Sequence, residues 1–195
     1  LTGQVLASRK IPGLALLDGL IHLPLVLPPV ATGYLLLFLF GQQGPIGAVL
    51  ARLGVRLAFH WTGAALAAGV MAFPLMVRPI RQAIEAIDPQ VTDAARTLGA
   101  SPWARFTRLT LPMAAPGVIA GAVLGFARAL GEFGATITFV AAIPGETLTL
   151  PSAIYLSTQS PGGEHHTLVL CLTALAIAFS AIWLGEAVGR RAVRA

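Results

Sequence analysis

The chain has 195 residues, 56% of them hydrophobic and 11% charged, with a mean hydropathy of +0.79. Soluble globular domains carry about 25% charged residues, so this composition excludes a disordered chain and argues against an ordinary water-soluble enzyme. The net charge of +5 would raise nucleic-acid binding in a soluble protein, but the placement of the charges points elsewhere.

Crossing a bilayer as a helix takes about 20 apolar residues, and four stretches qualify: 19–40, 57–77, 109–132 and 167–186. They do not alternate between apolar and polar, which excludes β-barrel strands. The expectation is an all-α, polytopic transmembrane bundle, one domain over 1–195, with an intramembrane charged pair in the third span. Residues 1–8 are moderately apolar ahead of Arg9 and Lys10, like the end of a further span beginning upstream. They lack the order of charge and apolar core that marks a signal peptide. Residues 133–145 form a short apolar stretch, the end of a span followed by a re-entrant or surface segment inside an external loop at 133–166.

Ten of the thirteen basic residues fall in three regions: before the first span, between the second and third, and after the fourth. The bias of Lys and Arg toward the inside therefore places the 78–111 loop and the C-terminus in the cytoplasm. It also accounts for the basic pI without nucleic acid.

The 78–111 loop has two helix-start signals. Asp88-Pro89 offers a capping carboxylate and a proline at the first helical position, and Ser101-Pro102 repeats the signal. Gly99 lies between them, where a glycine can end a helix in the left-handed conformation. Two short helices joined near Gly99 are predicted to project from the membrane.

Arg128 and Glu132 stand four apart and can pair on one helix face. Charged residues inside a span suggest function by default, here a gate element on an anion path, with Gly131 and Gly134 letting the helix bend; a structural ion pair is the plainer reading. Gly117, Gly121 and Gly125 recur on one face as a close-packing stripe, within the subunit or across a dimer seam. Pro24, Pro28, Pro29, Pro74 and Pro116 are expected to kink or break spans. No phosphate-loop pattern occurs, so ATP hydrolysis is not expected of this chain. His165 and His166 make a poor metal site, and neither a metal nor a cofactor is expected. His22 and His60 read as packing residues. The single cysteine, Cys171, excludes an internal disulfide.

Asp93-Ala94-Ala95, three residues, Gly99, nine residues, Leu109, one residue, Leu111-Pro112 resembles the EAA loop of ABC-type importer permeases, with Asp93 for Glu and Leu109 for Ile. The resemblance implies the importer-permease fold, with this loop docking as a coupling helix on a separate ATPase subunit that holds ATP and magnesium. A second resemblance covers nearly the whole chain from Arg9. The stretch from Arg128 to Phe139 with Gly131-Glu132-Phe133-Gly134, then Leu150 to Tyr155 and Gln159 to Glu164, is similar to molybdate permease subunits, as are Leu23 to Pro29 and Gly44 to Gly47. It implies a homodimer in a bacterial or archaeal inner membrane, surrounded by lipid and served by a periplasmic or extracellular molybdate-binding protein. Sulfate, thiosulfate or tungstate transport is the alternative within this class, and a scaffold or channel without an ATPase is the alternative outside it.

Overall fold

Two adjacent prolines decide the shape of the first apolar stretch. Neither Pro28 nor Pro29 has an N–H to donate, and a residue before proline is pushed out of the helical region. In the computed structural model, which describes residues 14–194, Pro28 sits at φ −55°, ψ 135°. The stretch accordingly divides into α1 (Leu14–Val26) and α2 (Pro29–Phe40), bent by 116°. The span expected over 19–40 is thus a broken pair, divided at the expected prolines.

The remaining helices are α3 (Gly47–Arg52), α4 (Trp61–Glu85), α5 (Pro89–Thr97), α6 (Pro102–Leu130), α7 (Gly134–Val140), α8 (Leu150–Thr158) and α9 (Glu164–Arg194). No strand occurs among the described residues. Three helices, α4, α6 and α9, are long and apolar enough to cross a membrane, and the bent α1–α2 pair is a fourth candidate. The chain is an all-helical bundle of the polytopic membrane class. The apolar residues 1–8, with their suggested upstream span, lie outside the described residues.

The most extensive interface joins α4 and α6. Its basis is the glycine stripe: Gly117 lies over Pro79 and Ala83, Gly121 over Met76 and Ile80, and Gly125 over Met76. All three are buried. Small residues let two backbones meet where water cannot drive association, and here the stripe serves packing within the subunit. Second in extent is α2 with α7. A Cβ at Gly33 would lie 2.6 Å from the Ala135 carbonyl oxygen, and one at Gly134 would lie 2.8 Å from Pro29 Cβ. The two helices therefore run together backbone against backbone from their first turns.

Around them sits the main core cluster: Leu36, Ala58, Ala67, Met71, Ala135, Phe139 and Val140. Residues 134–140 are thus deeply packed, and 133–166 is not a simple loop, because it holds α7 and α8. Helix α7 follows α6 after a break at 131–133 and packs against α2 and α4. By contrast, α9 turns most of its apolar surface outward, with Leu168, Leu172, Leu175, Phe179, Ile182 and Trp183 all exposed. A helix apolar all round belongs in lipid or against another membrane helix.

Candidate functional site

The loop segment is built from its caps upward. Asp88 Oδ1 accepts the Gln90 N–H at 2.8 Å, and Pro89 occupies the first helical position of α5. At the other end of α5, Gly99 has φ +77°. Its N–H donates to the Arg96 carbonyl at 3.0 Å, and the Ala100 N–H donates to the Ala95 carbonyl at 3.1 Å. This is the Schellman pattern, in which a left-handed residue satisfies the last carbonyls of a helix. Ser101 Oγ then accepts the Ala104 N–H at 3.2 Å and starts α6.

The second expected short helix is instead the first part of a span. Residues Pro102–Leu130 run as one helix of 29 residues. It passes through a π-helical turn at Phe106–Thr110, where the Leu111 N–H reaches back to the Phe106 carbonyl. Pro112 supplies the reason: its ring collides with the carbonyl four residues back in a regular α-helix and removes that hydrogen bond, and the wider turn relieves both. A proline following an otherwise helical run was the sequence signal for this turn.

The structure brings Asp93, Ala94, Ala95 and Gly99 together at one projecting tip. Asp93 and Ala94 are exposed and Ala95 is half-buried. Asp93 Oδ1 lies 3.2 Å from Arg96 Nη1, an exposed pair on the same helix. Such pairs contribute at most about 1 kcal/mol, so the carboxylate is free to change partners. Leu109, Leu111 and Pro112 are not at the tip; they lie two to three turns along α6. Sequence reasoning missed two tip residues, Leu98 and Trp103, which are 87% and 71% exposed. Large apolar side chains that flank a capped turn and are left uncovered mark an interaction surface. Their positions beside Gly99 and Pro102 were the available signal.

The second constellation sits at the α6–α7 break. Glu132 is buried, its side chain 1% exposed, while that of Arg128 is 25% exposed. Glu132 Oε1 accepts the Ala135 N–H at 2.7 Å, which caps the start of α7. Its Oε2 lies 2.6 Å from Arg128 Nη1, but the guanidinium N–H bonds do not line up with it, so Oε2 has no aligned hydrogen bond. Thr136 Oγ1 donates to the Phe133 carbonyl at 2.9 Å, adding a local tie. The expected pairing of Arg128 with Glu132 is present. Gly131 has φ −88°, a conformation open to any residue, so its flexibility does not make the break. Gly134 serves the close approach to Pro29 rather than a bend.

A third polar group was not legible in the sequence. Arg81 Nη1 contacts Asp18 Oδ1 at 3.1 Å, and its Nε donates to Glu85 Oε1 at 3.0 Å. His22 Nδ1 lies 2.8 Å from the Asp18 carbonyl. These side chains join α1 to the C-terminal part of α4. Among the described residues no group of three metal-ligating side chains occurs.

Comparison with known proteins agrees with this architecture. The family model for the binding-protein-dependent transport system inner membrane component matches residues 1–194. The molybdenum transport system permease protein ModB of Escherichia coli (strain K12) is 56% identical over 187 residues, covering 95% of this chain and 82% of that protein. ModB of Haemophilus influenzae is 52% identical over 188 residues, covering 96% of this chain and 82% of that protein. The sulfate transport system permease protein CysT of Escherichia coli (strain K12) is 34% identical over 196 residues, covering 99% of this chain and 71% of that protein. Among solved structures, a chain of a bacterial alginate ABC transporter in complex with its pentasaccharide-bound periplasmic protein superposes with a TM-score of 0.71. It is 17% identical, covers 97% of this chain and 69% of that chain, and speaks for the fold alone. The chain belongs to the family of binding-protein-dependent transport system inner membrane components.

Proposed function

We propose that this chain is the membrane-spanning permease subunit of an ATP-driven importer for molybdate, working as a homodimer. The observation that carries the choice of substrate is the gap in identity, 56% to a molybdenum permease against 34% to a sulfate permease. The geometry supports the rest. The tip formed by α5 and the start of α6, with Asp93, Leu98, Gly99 and Trp103, is a compact knob of the shape a cleft on an ATPase subunit would receive. It lies at the end of a helix of 29 residues, roughly 43 Å long at the α-helical rise. Movement imposed on the tip is therefore carried along α6 to the Arg128–Glu132 break. ATP binding by the partner would draw the two knobs together and turn the spans outward, so that a binding protein delivers the anion. ATP and magnesium stay on the partner, and this chain performs no hydrolysis.

The reading is tested by reconstituting the chain with its ATPase and binding protein in proteoliposomes. Molybdate uptake should require ATP, and excess sulfate should compete weakly. Uptake of sulfate in preference to molybdate would overturn the choice of substrate.

The orientation is proposed from the basic residues, with the knob and C-terminus in the cytoplasm of a bacterial or archaeal cell. A reporter fused after Arg194 should read as cytoplasmic and one inserted near Gly163 as external. The reverse result at either point would overturn it.

A further inference from the structure

Arg128 is the only Lys or Arg between Arg108 and Arg190. It lies one turn beyond the contact of Gly125 with Met76, near the middle of α4. Its partner is only half available. Glu132 has committed Oε1 to the Ala135 N–H, and its Oε2 meets the guanidinium by charge without an aligned hydrogen bond. An arginine carries five N–H donors in a planar fork. Among the described residues none of Arg128's donors makes an aligned hydrogen bond. The burial is also lopsided. The side chain of Glu132 is 1% exposed and that of Arg128 25%. The cation is thus partly open to the outside of the subunit's packing, while the carboxylate holds the joint from within.

We infer that Arg128 is a transient binding site for a tetrahedral oxyanion dianion in the translocation path, and that Glu132 is the latch the anion displaces. This rests on the reading of the chain as an oxyanion permease. A tetrahedral dianion can meet the fork with two oxygens at once, whereas Glu132 presents only Oε2 to it here. Once Arg128 turns to the anion, the buried carboxylate loses its only cation. An uncompensated buried charge is unfavourable, so the joint between α6 and α7 loosens when substrate arrives. The arrangement makes opening of the α6–α7 joint depend on the anion.

The test uses the complete complex of chain, ATPase and binding protein in proteoliposomes. Wild-type uptake is measured first with molybdate and then with sulfate. A preference for sulfate overturns the substrate reading alone, and the variants are then assayed with the anion that is carried. Arg128→Gln should lower uptake about tenfold, the scale of losing one charge-assisted contact, with ATPase association intact. Arg128→Lys should recover part of it with a raised KM, because an ammonium keeps the charge and loses the fork. Glu132→Gln keeps an acceptor for Ala135 and frees Arg128. It should raise ATP hydrolysis in the absence of binding protein.

A direct readout places a thiol beside the site: Gly131→Cys in a Cys171→Ala background, where the new Cβ meets only the Ala127 carbonyl oxygen at 3.7 Å. Molybdate should slow its alkylation by N-ethylmaleimide when Arg128 is present and not in Arg128→Gln. Unchanged uptake in Arg128→Gln, or equal protection by molybdate with and without Arg128, would overturn the proposal. So would loss of assembly in both Arg128→Gln and Arg128→Lys, which would make the pair structural. If only Arg128→Gln fails to assemble, a KM unchanged in Arg128→Lys overturns it and a raised KM supports it.

Discussion

Gly33→Val should abolish the folded subunit, leaving little protein in the membrane and none in complex with its partners. The added Cβ would lie 2.6 Å from the Ala135 carbonyl oxygen, 2.9 Å from Ala135 Cα and 2.9 Å from Thr138 Cβ. Two of these atoms belong to the α7 backbone, which cannot swing aside as a long side chain can. Helix α7 has no slack to retreat, because Ala135 and Phe139 on it are fully buried and Gly134 already lies against Pro29. Overpacking a tight core costs about 1–3 kcal/mol, and here the strain falls on the second most extensive helix seam of the bundle, so the upper end applies. The check is detergent-extracted yield with a monodisperse gel-filtration peak, compared with Gly69→Val. Gly69 has nothing within 4 Å of its would-be Cβ, and that variant should be recovered at wild-type levels. Equal recovery of both would mean that the α2–α7 contact is looser than described.

Gly99→Val should leave the membrane bundle intact and remove transport, the complementary outcome. Gly99 has φ +77° and open space around its would-be Cβ, so the penalty is conformational and not steric. A β-branched residue is strongly disfavoured there, at about 1–2 kcal/mol or more for the left-handed region. The chain escapes this by unwinding the Schellman turn, which displaces Leu98 and Trp103 relative to Asp93. Yield in the membrane should be near wild type, while co-purification of the ATPase and molybdate uptake fall severely. Gly99→Asn should keep most of both, since asparagine tolerates the left-handed region. Asp93→Lys places a positive charge beside Arg96 and should weaken ATPase association without unfolding the tip. Full uptake in Gly99→Val and Asp93→Lys together would reduce this segment to a plain connector.

Membrane class, helical nature and the loop punctuation were legible in the residues themselves, because each is a local matter. Apolar run length sets whether a helix can span. Asp88-Pro89, Gly99 and Ser101-Pro102 act through backbone groups within a few residues of themselves, and all three punctuate the structure where the sequence predicts. The Arg128–Glu132 pair was visible for the same reason, four residues being one helical turn.

What only the tertiary structure decided involves partners distant in sequence or competition between local signals. The proline pair at 28–29 predicts a break, but its angle of 116° and the docking of α2 on α7 are read only from the structure. Pro112 in a regular helix would argue for a stop. The π-helical turn and the packing of α6 on α4 let the helix continue instead. The short apolar stretch after Phe133 is ambiguous by length, and burial against α2 and α4 makes it part of the packed core. The glycine stripe on α6 needs a close neighbour but cannot name it; the identity of α4 depends on how the whole bundle closes. Asp18 and Arg81 are 63 residues apart, and no local rule pairs them. Periodicity and capping act over one turn of chain, whereas choosing which helices share a seam depends on the shapes of both faces at once.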